Sequence, residues 1–441
     1  MPGRNNKAAL LLVALLLSLG ACSGQGSHAV ITEEPPQPTA APVPSPAVPQ
    51  PPSMPEATPM PEDEYSSIRI CIAGDIVAHA PLNEDAYDPD TGAYDYSHIY
   101  AAAAPYLSAA DFAMADLETT FSGDGSYSGY PLFDSPDDLA SSLADAGIDM
   151  LITANNHSMD TWFSGLCRTL DVLDANGISH VGTYRTQEER DLNSGILLED
   201  IGGVTVAFLA YTYGTNGLPV YESNKFAVNI YNVDYMTNLS IVDYGLIDAD
   251  MEYARSLGAD FIAVCMHWGN EYETVQNRRQ EELADYLFGR GADIIIGGHP
   301  HVPQPMEVRK IEKPDGTERT GFICYCLGNF SSNQRDRHTN LTALVNLDIE
   351  KNLTTGEAGI VGISYVPMYM LHLESGVERH RLLDINKEIV KYESGEDGAV
   401  SEGIYNSLIK GLDDIHSIMG VEQLLAAGRS GAAMAGGLAQ N

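Results

Sequence analysis

From Ser66 onward the chain repeats one pattern of polarity: a short apolar run, a polar turn, then a stretch with apolar residues at helical spacing. The runs Ile68–Ala73, Phe112–Ala115, Met150–Thr153, Val204–Ala210, Phe261–Met266, Ile294–Ile296 and Phe322–Leu327 are almost continuously apolar, which predicts strands buried on both faces. Between them, Ser135–Ala146 opens on Ser-Pro and stops at Gly147, as a helix should. Thr161–Ala175 closes on Asn176-Gly177, Leu246–Leu257 closes on Gly258, and Arg278–Gly289 forms a further amphipathic stretch. Leu341–Glu350 and Ala358–Pro367 read as a hairpin-type strand pair. Strands that alternate with helices predict a layered α/β domain over residues 66–390. Residues 391–441 read as a C-terminal helix and a flexible tail, because the stretch from Ala426 is rich in Gly and Ala.

Composition refines this picture. Of 441 residues 44% are hydrophobic and 19% charged, enough to fill a large core. The 61 acidic and 24 basic residues give a net charge of −37, which argues against a nucleic-acid partner and against docking on lipid through a basic patch. Residues 1–22 read as a lipoprotein signal peptide. Arg4 and Lys7 precede the apolar run Ala8–Leu17, which is too short to span a bilayer. The ending Leu19-Gly20-Ala21-Cys22 resembles a bacterial lipobox, whose cysteine is acylated. Cys22 would then anchor an extracytoplasmic protein to the cell membrane. Half of the 24 prolines fall between Pro35 and Pro61, so residues 23–65 read as a Pro-rich disordered stalk. The five remaining cysteines are odd in number and mostly sit in strand-like runs, so they read as buried thiols rather than a disulfide framework.

The chemistry collects where the strands end. Ile68–Ala73 is followed by Gly74-Asp75, Phe112–Ala115 by Asp116-Leu117-Glu118, and Met150–Thr153 by Asn155-Asn156-His157 with Asp160. Phe261–Met266 leads into His267 and Glu271, Ile294–Ile296 into Gly297-Gly298-His299-Pro300-His301, and Phe322–Leu327 into Gly328-Asn329-Phe330. Open α/β sheets place ligand sites at the carboxyl ends of their strands, so six such ends carrying carboxylate, amide and imidazole groups point to one site. A mixed nitrogen and oxygen ligand set suits Mn²⁺, Zn²⁺ or Fe rather than Ca²⁺. No nucleophile elbow, phosphate-cradling loop or His-Glu-x-x-His helix is present in the sequence.

These blocks, together with Gly291-Ala292-Asp293, Val302 and Gln304, resemble the signatures of the CapA family of bacterial poly-γ-glutamate capsule biosynthesis proteins. That family's domain is similar to calcineurin-like metallophosphoesterases, and the resemblance covers roughly residues 68–370 in order. It implies a four-layer α/β/β/α sandwich of metallophosphoesterase type with one or two divalent ions, Mn or Zn, at one edge. By resemblance the metal ligands are Asp75, Glu118, Asn156, His267, His299 and His301, with Glu118 bridging. His157 is the catalytic imidazole, with Asp160 beside it. Asn155, Glu271, Gln304 and Asn329 orient the ligands or contact substrate.

Four departures stand out, one of them that Gly328-Asn329-Phe330 continues into Ser331-Ser332-Asn333 where the family usually has Phe-Asp. Val77 occupies the place of the histidine in Asp-x-His, and Asp116 stands where the family usually has Asn. Gly298 precedes His299 where many members have a further His. The implied function is a metal-dependent hydrolase-like site acting in synthesis, export or anchoring of poly-γ-glutamate or another anionic cell-surface polymer. The alternatives are a non-enzymatic accessory that binds polymer or the membrane capsule synthase complex, and an extracellular metallophosphoesterase. Arg309, Lys310, Arg335 and Arg337 are candidate contacts for an anionic chain.

Overall fold

The computed structural model describes residues 64–312, 318–420 and 423–425, all within one compact unit that runs from Pro61 to Asn441. The predicted signal segment, Cys22, nearly all of the Pro-rich stalk and the tail from Ala426 lie outside the described residues. No helix among the described residues is long and apolar enough to cross a membrane.

In chain order the strands are β1 (Tyr65–Ile76), β2 (Phe112–Leu117), β3 (Met150–Ile152), β4 (Ser179–Val181), β5 (Leu197–Ile201), β6 (Val204–Thr212), β7 (Phe261–His267) and β8 (Ile294–Gly298). They continue as β9 (Met306–Glu312), β10 (Glu318–Cys324), β11 (Asn329–Ser331), β12 (Leu341–Asn352), β13 (Ala358–His372), β14 (His380–Asp384) and β15 (Gln423–Leu425). One sheet has the order β14-β13-β12-β1-β2-β3-β4, with β11 also beside β1 and β15 beside β13. The other has the order β5-β6-β7-β8-β10-β9. In the first, β1 to β4 run parallel and β12 to β14 antiparallel; in the second, β6, β7, β8 and β10 run parallel.

Alternation along these strands builds three apolar layers. Ile70, Ile72 and Met114 of the first sheet face Val206, Phe208, Ala263, Cys265 and Cys324 of the second. Their neighbours Cys71, Ala73 and Ala115 point the other way, onto helices Asp138–Ala146 and Trp162–Ala175. Leu209, Val264, Met266 and Ile323 likewise point outward, onto helices Tyr244–Ser256 and Arg278–Arg290. Each buried Val, Leu, Ile, Phe or Met among them contributes about 1.5–3 kcal/mol, so both faces of both sheets must be covered, and the result is an α/β/β/α sandwich.

Capping fixes where the helices stop and start. Gly147 and Gly291 end two of them in the left-handed conformation at φ 103° and 106°. Asn277 begins Arg278–Arg290 with a capping box shared with Gln280. The helices Ile385–Glu393 and Glu402–Met419 follow β14 and pack on β12 and β13 through Leu371, Ile389 and Leu408.

Two details differ from the sequence reading. The run Phe322–Leu327 is not one strand: β10 ends at Cys324, and the chain then crosses from the second sheet to enter the first as β11. Gly328 makes that passage at φ 81°, where an added Cβ would lie 2.5 Å from the Leu341 carbonyl oxygen. The helix expected from Ser135 begins at Asp138. The five described cysteines are free; Cys71, Cys265, Cys324 and Cys326 are buried, and burial pushes the Cys71 thiol up to about 12.

Candidate metal centre

The site forms where the carboxyl ends of β1, β2, β3, β7 and β8 meet. Asp75 is aimed by an irregularity in the β1–β2 register between Ile72 and Asp75. Its backbone N–H donates to the Gly328 carbonyl (3.0 Å), and the β1–β11 pairing sets Asp75 beside Asn329. Asp75 Oδ2 accepts from the His299 backbone N–H (3.1 Å) and lies 3.5 Å from His301 Nδ1. The segment after β8 needs its glycines: a Cβ on Gly298 would fall 2.7 Å from Asp75 Oδ1 and 2.9 Å from Asp116 Oδ2. His299 and His301 both take positive φ, 98° and 61°. Such strain persists only where neighbours over-determine it. Here the Asp75 carboxylate holds His299, Asn329 Oδ1 meets His301 Nδ1 (3.0 Å), and the Tyr272 N–H donates to the Pro300 carbonyl (2.8 Å).

Glu118 occupies the middle. It is fully buried, and neither of its carboxylate oxygens finds an N–H or hydroxyl donor; the Asp75 carboxyl is close enough to share a proton with it but, when both are ionised, offers it nothing. His267 Nε2 and His301 Nδ1 each lie 3.9 Å from Glu118 Oε1, one on either side. His267 Nδ1 meets Asp116 Oδ2 at 2.9 Å, while its Nε2 faces Asn156 Oδ1 at 2.7 Å. A divalent cation in this space would hold Asp116 ionised and the His267 proton on Nδ1, leaving Nε2 and the Asn156 oxygen as two lone-pair donors on the same side. His299 Nδ1 is also buried without a partner.

The electrostatics agree. Burial pushes the Asp116 and Glu118 carboxyls well above the usual carboxylate range, and the nearby Asp75 charge pushes them further. Burial lowers His267 to about 3 and holds His299 well below an ordinary imidazole, with neighbouring histidines adding to the effect. The imidazoles are therefore neutral and able to donate lone pairs. Among the described residues no Lys or Arg pairs with Asp75, Asp116 or Glu118. A divalent cation would neutralise these acids and partner the orphaned oxygens together.

Three groups have their ligand atoms within 4.8 Å of one another: Asp75, Glu118 and His301; Asp116, Glu118 and His267; and Glu271, His299 and His301. Glu118 belongs to two of them, one on each side. These residues fit a divalent cation by number, charge and donor type.

The surrounding residues divide clearly. His157 Nδ1 is held by Asp160 Oδ2 (2.7 Å), the Phe133 ring packs edge-on to it, and its Nε2 is 3.4 Å from Asn216 Nδ2. Asp160 reaches the centre only through His157 and the Phe133 N–H (2.6 Å). Asn155 ties Asp116 Oδ1 (2.8 Å) and the Leu117 carbonyl (2.7 Å), and accepts from the His157 N–H (3.1 Å). Gln304 does not join the cluster. It bonds Gln280 (2.8 Å) and the Glu273 carbonyl (2.8 Å), and so pins the segment that carries Glu271.

Val77 is buried and offers no ligand atom. His79 turns its Nδ1 to the Val77 carbonyl (3.1 Å) and the Asn333 N–H (3.2 Å), and does not take the missing place. Arg309 is paired with Asp285 and Glu307, and Lys310 with Glu318, whereas Arg335 and Arg337 form no ion pair among the described residues. Sequence reading missed Asp116 as the support of His267, although its two-residue spacing from Glu118 put both on one side of the chain where β2 ends. It also missed Asn216, which bonds Asn156 (3.2 Å) and approaches His157 from a loop with no motif of its own. A cavity of about 410 Å³ opens beside His299, lined by Tyr213, Glu271, Asn277 and Arg279 among others.

Two sheets that present carboxylate, amide and imidazole groups at their joined strand ends define a candidate divalent-metal protein of the α/β/β/α class. The sequence profile of the family described as bacterial capsule synthesis protein PGA_cap matches residues 69–334, and the chain belongs to that family. Two relatives agree. The PGA biosynthesis protein CapA of Bacillus subtilis (strain 168) is 32% identical over 219 residues, 48% of this chain and 50% of the relative. The capsule biosynthesis protein CapA of Bacillus anthracis is 26% identical over 299 residues, 66% of each chain. The matched region thus spans half of one relative's length and 66% of the other's. Among solved structures, a phosphatase from Mycoplasma pneumoniae is similar at a TM-score of 0.40 and 14% identity, covering 69% of this chain and 94% of that one. A calcineurin-like phosphoesterase from Bacillus subtilis is similar at a TM-score of 0.37 and 12% identity, covering 80% and 98%. The fold assignment rests on the sheet order and layers described above.

Proposed function

We propose that this chain is an extracytoplasmic lipoprotein, anchored through Cys22, whose strand-end cluster holds Mn²⁺ or Zn²⁺. In this reading it acts as a hydrolase-like site on poly-γ-glutamate or a similar anionic cell-surface polymer during capsule synthesis, export or anchoring. The observation that carries the proposal is Glu118: a buried carboxylate without an N–H or hydroxyl donor, set between His267 on one side and His301 on the other. Asp75, Glu118 and His301 would hold one cation position; Glu118, Asn156, His267 and His299 would hold the other. When bound, a divalent cation polarises a carbonyl or phosphoryl oxygen and makes a coordinated water acidic enough to attack near neutral pH. The chain's own residues do the rest. Asp116 fixes the His267 ring and its tautomer. Asp160 accepts from His157 Nδ1–H, which leaves the Nε2 lone pair to take up a proton and then hand it to a leaving group.

A second reading is favoured by one observation. Val77 leaves the Asp75 side a ligand short of the Asp-x-His pattern, which suits a module that binds polymer or the membrane synthase without cleaving it. The test is metal content by mass spectrometry, compared with H299A/H301A after identical purification, followed by assay on poly-γ-glutamate and on phosphoesters. Near-stoichiometric Mn or Zn that is lost in the variant, together with turnover by the loaded wild type, supports the hydrolase reading. Metal without turnover supports the second reading. No metal after supplementation refutes both versions of the metal site.

A further inference from the structure

A second cavity, of about 380 Å³, lies between residues 334–341, β13 and the helix Glu402–Met419. Its floor is apolar, from Leu341, Tyr369 and Leu371, and its wall is basic, from Arg335, Arg337 and Lys410. Lys410 and His338 share Asp414, the His338 Nε2 lying 3.2 Å from Asp414 Oδ2. Asp336 is the other acid on the wall. His372 turns its Nε2 to the Ser332 carbonyl (2.8 Å). Among the described residues Arg335 is hydrogen-bonded only to Asn333 Oδ1 (3.1 Å), and Arg337 Nε only to His338 Nε2 (3.0 Å), so most of their donors face solvent. His338 holds a positive φ of 69° inside this wall.

Two exposed guanidinium groups without carboxylate partners among the described residues, set together at one cavity in a chain of net charge −37, present water-facing donors that an anion can take up. The cavity also adjoins the metal centre. Asn329, whose Oδ1 meets His301, donates through Nδ2 to Gln334 Oε1 (2.8 Å) and to the Thr339 carbonyl (3.2 Å), and both Gln334 and Thr339 line the cavity. We infer that this cavity is an anion-binding subsite, with Arg335 and Arg337 as its recognising groups, that seats an extended polycarboxylate chain alongside the metal centre. The choice of a polycarboxylate rests on the proposed function; the anion site itself does not depend on it.

The test is calorimetric titration of the full chain, in chelator, with a γ-linked glutamate hexamer and separately with tripolyphosphate. R335Q/R337Q removes two charges from the cavity. R278E changes the net charge by as much at Arg278, whose side chain is 89% exposed and lies on a different helix. The hexamer is expected to bind wild type and R278E alike and R335Q/R337Q about tenfold more weakly, with a loss that shrinks as salt is raised. Tripolyphosphate binding more tightly than the hexamer, with the same loss in R335Q/R337Q, would support the subsite and assign it to phosphate. Undiminished binding by a folded R335Q/R337Q, or no binding of either anion to wild type, would overturn the inference. Metal content of the variants, read in parallel, separates this failure from failure of the metal centre.

Discussion

Glu118→Gln exchanges one carboxylate oxygen for an amide at almost constant shape, and the surroundings of Glu118 dictate opposite outcomes with and without metal. Both oxygens are buried without an N–H or hydroxyl donor, and burial plus the Asp75 and Asp116 charges raise the carboxyl well above 4.5. Because its folded-state pKa is raised, the group's contribution is fully present below the unfolded value near 4.5 and is lost as pH rises through the folded one. In chelator at pH 8, far above the unfolded value, burying this group costs about 1–3 kcal/mol or more, whether it is held ionised without a donor or keeps a proton the unfolded chain would have released. E118Q should therefore be more stable than wild type by about that amount, or a few degrees in Tm at about 2 °C per kcal/mol for a domain of this size. The advantage should fade as pH falls toward 4.5. With metal at about a hundred times its Kd, wild type should gain about 2.7 kcal/mol and E118Q much less, so the order reverses. Scanning calorimetry of both proteins, with EDTA and with Mn²⁺, reads all of this. A chelated E118Q that melts below wild type at pH 8 would refute the reasoning, because Glu118 would then have a stabilising partner in the metal-free fold.

Four other outcomes follow from the same contacts. D116N removes the charged acceptor that fixes His267, and should weaken metal affinity about 10–100-fold in a competitive chelator titration. G298A places a methyl 2.7 Å from Asp75 Oδ1 and should cost about 1–3 kcal/mol in urea denaturation with EDTA present. Burial lowers His372 to about 4, so its contribution is present above the ordinary imidazole value of 6.5 and is lost as pH falls toward 4; between pH 7.5 and 5 wild type should lose about 2 kcal/mol more than H372Q in urea denaturation. In direct competition at equal concentration, the centre should give up Zn²⁺ to Mn²⁺ more readily than a histidine-rich centre does, measured by metal content after exchange.

Much of the site was legible because strand ends carry it. Asp75, Glu118, Asn156, His267, His299 and His301 each follow an apolar run, and a run that is buried on both faces has to release its first polar residues at the sheet edge. What stayed hidden depended on contacts distant in sequence. The pairing of Arg309 with Asp285 and Glu307, and the freedom of Arg335, cannot be told apart by composition, since all are arginines near a motif. The break after Cys324 was hidden for another reason: Phe322–Leu327 is apolar whether the chain continues one strand or changes sheet, because both routes are buried. The short helices Ala80–Ala86, Ser97–Tyr100 and Ala104–Leu107 lack the length at which helical periodicity shows, and are held by packing Leu82, Ile99 and Leu107 on the first sheet.

The departures from the family pattern are tied together by the geometry. A residue larger than glycine at 298 would strike the Asp75 and Asp116 carboxylates. Asp116 uses both its oxygens, one for Asn155 and one for His267, so it orients a ligand instead of binding beside it. Val77 withdraws an imidazole from the Asp75 side, and among the described residues no metal-ligand cluster includes His79, whose Nδ1 is turned to backbone groups. Each change moves the centre in the same direction: fewer imidazoles, more carboxylate charge, and a tighter space beside Gly298. Carboxylate ligands favour harder cations, whereas imidazole serves Zn²⁺ well, so in the proposed centre these positions would favour Mn²⁺ over Zn²⁺.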